Sequence, residues 1–125
     1  RNRKIYAVFS EVGSLEKSND VKIKGNSIGK VYDKDFTDKN ASGIVITINL
    51  TSDVNIPANS IANISSPIAG TPYINVQLGD DELAARLRDW VEPEPRYRTG
   101  ALANYATLVS SASYGAVTLS HYETA

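Results

Sequence analysis

The chain has 125 residues, enough for one domain with its own core, and a net charge of -1 with both signs interspersed. The absence of cysteine excludes thiol catalysis, thiolate metal sites and a disulfide framework. No basic patch argues for nucleic acid, and no run of about 18 apolar residues argues for a membrane span.

Arg1-Asn2-Arg3-Lys4 opens the sequence without Met. It reads as the start of a fragment, and the basic cluster suits the flank of a membrane helix further upstream. Lys4–Ser10 alternates Ile5, Ala7 and Phe9 against Tyr6 and Val8, a strand with at least one packed face. Gly13-Ser14 turns the chain, and Leu15 is a lone apolar residue expected to fold back onto the core. Val21–Lys24 and Ile28–Phe36 read as two strands joined at a Gly25-Asn26-Ser27 corner. Gly25 and Gly29 are expected to serve the corner and a close approach of neighbouring backbone. The lysines that alternate on either side of the corner, Lys22, Lys24 and Lys30, read as a solvated strand face.

Ile44–Leu50 is the clearest strand, with Ile44, Ile46, Ile48 and Leu50 on one face. A turn follows, and Pro57 ends any ladder there. Ser60–Ile64 reads as a short strand and Ser65–Pro72 as a loop with two prolines. Tyr73–Leu78 reads as a strand closed by Gly79-Asp80. Short strands with turn chemistry between them predict a mainly β fold, a small antiparallel barrel or sandwich. Asp80–Val91 is the one helical pattern, with Leu83, Leu87, Trp90 and Val91 at helical spacing and Pro93 and Pro95 beyond it. Tyr105–Val109 and Ala116–Tyr122 read as a hairpin around Ser113-Tyr114-Gly115.

Composition changes near residue 80. Every Lys lies at or before Lys39 and every Ile at or before Ile74, while Ala and Arg dominate later. Two readings stand. Residues 1–80 and 81–125 have different origins, as in a fusion, or a barrel carries a helical tail with its own composition.

The candidates for chemistry are weak. His121 is the sole histidine and has no second ligand at metal spacing. Asp33, Asp35 and Asp38 alternate like a calcium loop but lack its glycine and terminal glutamate. Ser65-Ser66 has no nucleophile-elbow context. No catalytic residue, metal site or cofactor is assigned, and the chain is expected not to be an enzyme.

Over residues 4–80, five pieces in order resemble the MCE domain, the MlaD-type module of bacterial lipid transporters. Tyr6–Leu15 resembles its opening strand and turn, with Gly13 and Leu15 at the turn. Val21-Lys-Ile-Lys-Gly25 with Ser27-Ile-Gly-Lys-Val31 is similar to its glycine-kinked signature. Ile44–Leu50, then Asn55-Ile-Pro-Ala-Asn-Ser-Ile-Ala62 with Pro57, resembles its next strand and turn. Ser66–Gly79, with Tyr73 and Gly79, resembles its closing segment. Ile68-Ala69 stands where the family has paired Leu, and Asn26 stands where an apolar residue is usual. Nothing after Asp80 matches the family. Arg98–Leu102 is faintly similar to phage head–tail completion proteins.

The resemblance implies a small β-barrel that assembles as a homo-hexameric ring. It would stand on the periplasmic face of the inner membrane, tethered by an N-terminal helix outside this sequence. Its partners would be phospholipid and the permease and ATPase subunits of an ABC transporter, and no nucleic acid. Pro67, Ile68, Ala69 and Gly70 would line the central pore; the competing expectation is that Ile68 tucks into its own barrel. Two other classes compete with lipid transport. One is a ring-forming structural module fused to a phage-type assembly segment, without transport. The other is a small β-barrel hydrolase or sugar-binding domain.

Overall fold

The computed structural model describes residues 3–57, 60–82 and 105–109. They form seven strands: β1 (Arg3–Phe9), β2 (Asp20–Ile23), β3 (Asn26–Phe36), β4 (Ile44–Leu50), β5 (Ile61–Ser65), β6 (Tyr73–Gln77) and β7 (Tyr105–Val109). The first six make one curled sheet, ordered β1-β4-β3-β2-β6-β5, and β7 pairs with both outer edges to close it. The fold is therefore mainly β, as the alternation predicts. All pairings are antiparallel except β2 with β6, where Val21 lies beside Ile74 and Lys22 beside Asn75. Beyond Glu82 the helix expected over Asp80–Val91 lies outside the described residues, as does Ala116–Tyr122, the second half of the expected hairpin. Its first half, Tyr105–Val109, is β7.

Alternation decides which side chains enter the barrel. Ile46, Ile48 and Leu50 on β4 are fully buried, and they meet Ala7 and Phe9 from β1 and Val31 from β3. Ile74 and Val76 on β6 and Val21 on β2 fill the other half. Leu15, from the loop between β1 and β2, is also fully buried, so the lone apolar residue does fold back as expected. The turn that sends it there spans Val12 to Leu15, whose N–H donates to the Val12 carbonyl at 3.2 Å, and Gly13 takes φ +58° inside it.

The β2–β3 hairpin turns one residue earlier than the expected corner. Lys24 has φ +52° and Gly25 φ +85°, the pair of left-handed residues that a tight two-residue hairpin requires. Asn26 and Ser27 already belong to β3. Gly29 has the other predicted role. A Cβ there would overlap the Asn49 carbonyl oxygen and stand 3.0 Å from Leu50 Cα. The bare backbone lets β3 press against β4. Further along, the register slips between Val31 and Asp33, so Tyr32 is an extra residue and turns outward, 58% exposed, under the Lys4 ammonium.

The predicted solvated lysine face is present, though two of its lysines are engaged. Lys30 Nζ lies 2.6 Å from Asp20 Oδ1, and Lys22 Nζ stands 4.4 Å from the Tyr73 ring centroid. The hydrogen bond from Lys30 holds the Asp20 carboxyl below its ordinary value against the opposing effect of burial, with lesser help from the charges of Lys30 and Lys22.

Two outcomes follow. Gly29→Ala should lower unfolding free energy by about 2–4 kcal/mol, because a backbone carbonyl cannot yield as a side chain can; denaturant titration measures it. Because the carboxyl of Asp20 is depressed in the folded state, its contribution is present above the ordinary pKa of about 3.9 and is lost as pH falls through the folded value. Both side chains are more than a third exposed. Asp20→Asn should therefore cost no more than ~1 kcal/mol at pH 7 and progressively less as the pH falls through the folded value, by thermal melts at decreasing pH.

Candidate functional site

The registers place the connections at two ends of the barrel. Phe9 pairs with Ile44, and Phe36 pairs with Ile44 from the other side. Asp20 and Tyr73 begin β2 and β6 toward this same end, and Ser65 completes β5 there. The loop of residues 66–72 therefore projects from the end where β1 and β3 finish. Arg3, paired with Leu50, and the Lys24-Gly25 turn mark the opposite end.

That loop carries the four residues assigned to the pore. Pro67, Ile68, Ala69 and Gly70 are all exposed. Ile68 is 108% exposed, so it does not tuck into its own barrel. Leaving an isoleucine in water forgoes about 1.5–3 kcal/mol that burial would supply. Gly70 has φ +121°, a conformation that an L side chain rarely adopts, and Pro67 and Pro72 restrict the loop on either side. The base of the loop is fixed. Ser65 pairs with Tyr73, Ile64 with Ile74, and both isoleucines are buried. Lys22 caps the Tyr73 ring from β2. The loop thus holds an apolar apex in solvent on a firmly paired stem.

The remaining signature residues are structural. The Pro57 carbonyl accepts the Ser60 N–H at 3.0 Å. Ser60 is fully buried, and its Oγ accepts the Gly79 N–H at 2.9 Å, which ties the start of β5 to the chain leaving β6. Gly25 and Gly13 serve turns, and Gly29 the close approach described above.

The three aspartates that alternate like a calcium loop do not converge. Asp33 meets Lys17 at 3.3 Å, Asp35 accepts the Phe36 N–H, and Asp38 Oδ1 accepts the N–H groups of Asn40 and Ser42. Among the described residues no group of metal-ligating side chains forms a candidate site. His121 lies outside the described residues.

Sequence reasoning missed one feature of the loop end. Val12, Ile44, Phe36, Lys34 and Asp35 line a cavity of about 240 Å³. Phe36 is 58% exposed, because β3 carries it past the end of the core. The slip in register at Tyr32 is what puts Phe36 opposite Ile44, and no local signal announces that slip. Lys34 closes one side, donating to the Leu15 carbonyl at 2.9 Å and lying 3.2 Å from Glu16.

With that geometry, comparison with known proteins gives two results. The family model described as MlaD protein matches residues 1–79. Curated relatives match over stretches of 44 to 96 residues. A dihydroxy-acid dehydratase of Koribacter versatilis is 60% identical over 50 residues, covering 40% of this chain and 9% of that protein. The Metallosphaera sedula enzyme is 57% identical over 44 residues, 35% of this chain and 8% of its own length. Dihydroxy-acid dehydratase 3 of Aromatoleum aromaticum is 36% identical over 96 residues, 75% of this chain and 17% of its own length. The chain thus spans less than a fifth of the length of these relatives. The family match covers more than half of the chain, takes in all six strands of the curled sheet and includes the exposed loop: the chain belongs to the MlaD family, the lipid-transport type of MCE domain.

Proposed function

We propose that residues 1–80 act as a non-enzymatic lipid-conducting barrel, one subunit of a hexameric ring in the bacterial periplasm. In this reading the ring is anchored to the inner membrane by a segment outside this sequence and works with the permease and ATPase of an ABC transporter. The observation that carries it is Ile68, a fully exposed apolar side chain at the apex of a loop whose stem is firmly paired. Six such loops around an axis would offer acyl chains a shielded path, and each CH₂ kept from water contributes about 0.8 kcal/mol. Ala69, where the family has a second large apolar residue, would leave the constriction wider. No bond needs to form or break. The barrel's part is to hold Pro67, Ile68, Ala69 and Gly70 in place while lipid moves past.

Ile68→Asn should leave the melting temperature within about 2 °C of the parent, since the residue packs against nothing, yet abolish phospholipid passage in a reconstituted system. Normal passage would remove the pore assignment. Light scattering of the parent should show a discrete hexamer carrying phospholipid; a lipid-free hexamer would favour the bare structural ring.

A second reading concerns residues 81–125, which we infer to have a different origin from the barrel. The dehydratase identity is highest over stretches of 44 to 50 residues and falls to 36% over 96. The stretches of highest identity are about as long as the part that the family match leaves over, while the 96-residue match also runs into the family-matched part. The composition shift near residue 80 supports the same boundary. A segment amounting to less than a tenth of a dehydratase is not expected to carry that enzyme's activity. Sequencing the native gene checks this: one uninterrupted frame across residue 80 in several independent isolates would argue against a join.

A further inference from the structure

We propose that the six-stranded sheet has a slot, one strand wide, that accepts an extended peptide through main-chain pairing, and that Tyr105–Val109 occupies it as a generic strand. The inference is independent of lipid conduction. The six strands within the family match do not close on themselves: β1 pairs with β4 on one side only, and β5 with β6 on one side only. Their outer edges meet nothing but β7 among the described residues. On one side Tyr6 lies opposite Val109 and Ala7 opposite Leu108; on the other Ile61 lies opposite Thr107, Ala62 opposite Ala106 and Asn63 opposite Tyr105.

Both edges need that partner. Without a seventh strand, β1 at Tyr6 and Ala7 and β5 at Ile61–Asn63 would be open sheet edges, rows of N–H and C=O groups with no strand to pair them. The strand that supplies the pairing lies beyond the family match, in the part where composition changes. Main-chain hydrogen bonds are indifferent to side-chain identity, which lets a strand from an unrelated segment complete the barrel. The ladders on either side are short, and both are antiparallel. An occupant held this way is exchangeable, and the partner this surface fits is an extended peptide running antiparallel to both β1 and β5.

The test uses the full chain. Neighbouring N–H groups of a strand point to opposite sides, so Ala106→Pro and Thr107→Pro between them remove a donor toward each edge. Exchange of the β7-facing amides in β1 and β5 should rise about tenfold or more in these variants, with β3–β4 unchanged, and a synthetic peptide of residues 103–111 should restore protection. Thr107→Val, which keeps the N–H, should exchange like the parent. Proline variants that exchange like the parent would overturn the proposal, as would a peptide that restores nothing. If the proline variants fail to fold, the double variant Asn63→Cys/Tyr105→Cys decides. The chain has no other cysteine, directly opposed strand residues suit a disulfide, and failure of that bond to form on oxidation would equally overturn the slot.

Discussion

The pairing of β4 with both neighbours is the constraint on which the rest of the barrel depends. Ile44–Leu50 is matched residue for residue with β1 from Phe9 back to Arg3, and with β3 from Phe36 back to Gly29 with the one extra residue at Tyr32. A slip of one residue on either side would turn Ile46, Ile48 and Leu50 out of the core. Gly29 is where that pairing is tightest, because the Asn49 carbonyl occupies the space a side chain would need. With β4 fixed, the ends of β1 and β3 come together, the loop bearing Leu15 is drawn under them, and the loop end of the barrel acquires its shape.

The exposed loop depends on the opposite half of the sheet. Its stem is β5–β6, and that hairpin is located by the parallel contact of β6 with β2. Parallel neighbours need a long connection, and here it takes in three whole strands: β3, β4 and β5 all lie between. Lys30 with Asp20 and Lys22 with Tyr73 hold β2 from either side at this point. Each interaction is modest because it is exposed. The apolar residues beneath, Val21, Ile64 and Ile74, contribute more, since each is removed from water almost entirely.

How far the sequence foretells this structure depends on whether the cause is local. Ile44–Leu50 is legible to the residue, because strict alternation on a half-buried surface leaves one solution. Leu15 is legible as a core residue for a related reason: a single leucine among Glu, Lys, Ser and Asn has nowhere else to go. The hairpin corner is displaced because Lys24, not Asn26, takes the left-handed conformation, and lysine has no special tendency to do so. The slip at Tyr32 and the parallel β2–β6 contact are products of sheet closure and have no signature in any short window. The loop of residues 65–72 is legible from Pro67 and Pro72, but the outward role of Ile68 is implied only by the family resemblance, since apolar character alone does not separate an exposed isoleucine from a buried one. The cavity beside Phe36 was not foreseen at all, because it exists only once three separate strand ends have met.

Ile68 is informative because nothing in its own barrel explains it. Single exposed apolar residues are ordinary on protein surfaces. Most sit on flexible segments or are shielded by neighbours. This one is placed at full exposure by a left-handed glycine two positions on and by prolines on both sides, above a stem in which Ile64 and Ile74 are buried. Such a loop resists collapsing back onto the barrel, so the free energy forgone by its exposure can be recovered only from outside the subunit. A neighbouring copy of the loop and a passing acyl chain would both serve, and in a ring they would alternate. The apex that repels water when the path is empty would then become the wall of the path when lipid fills it.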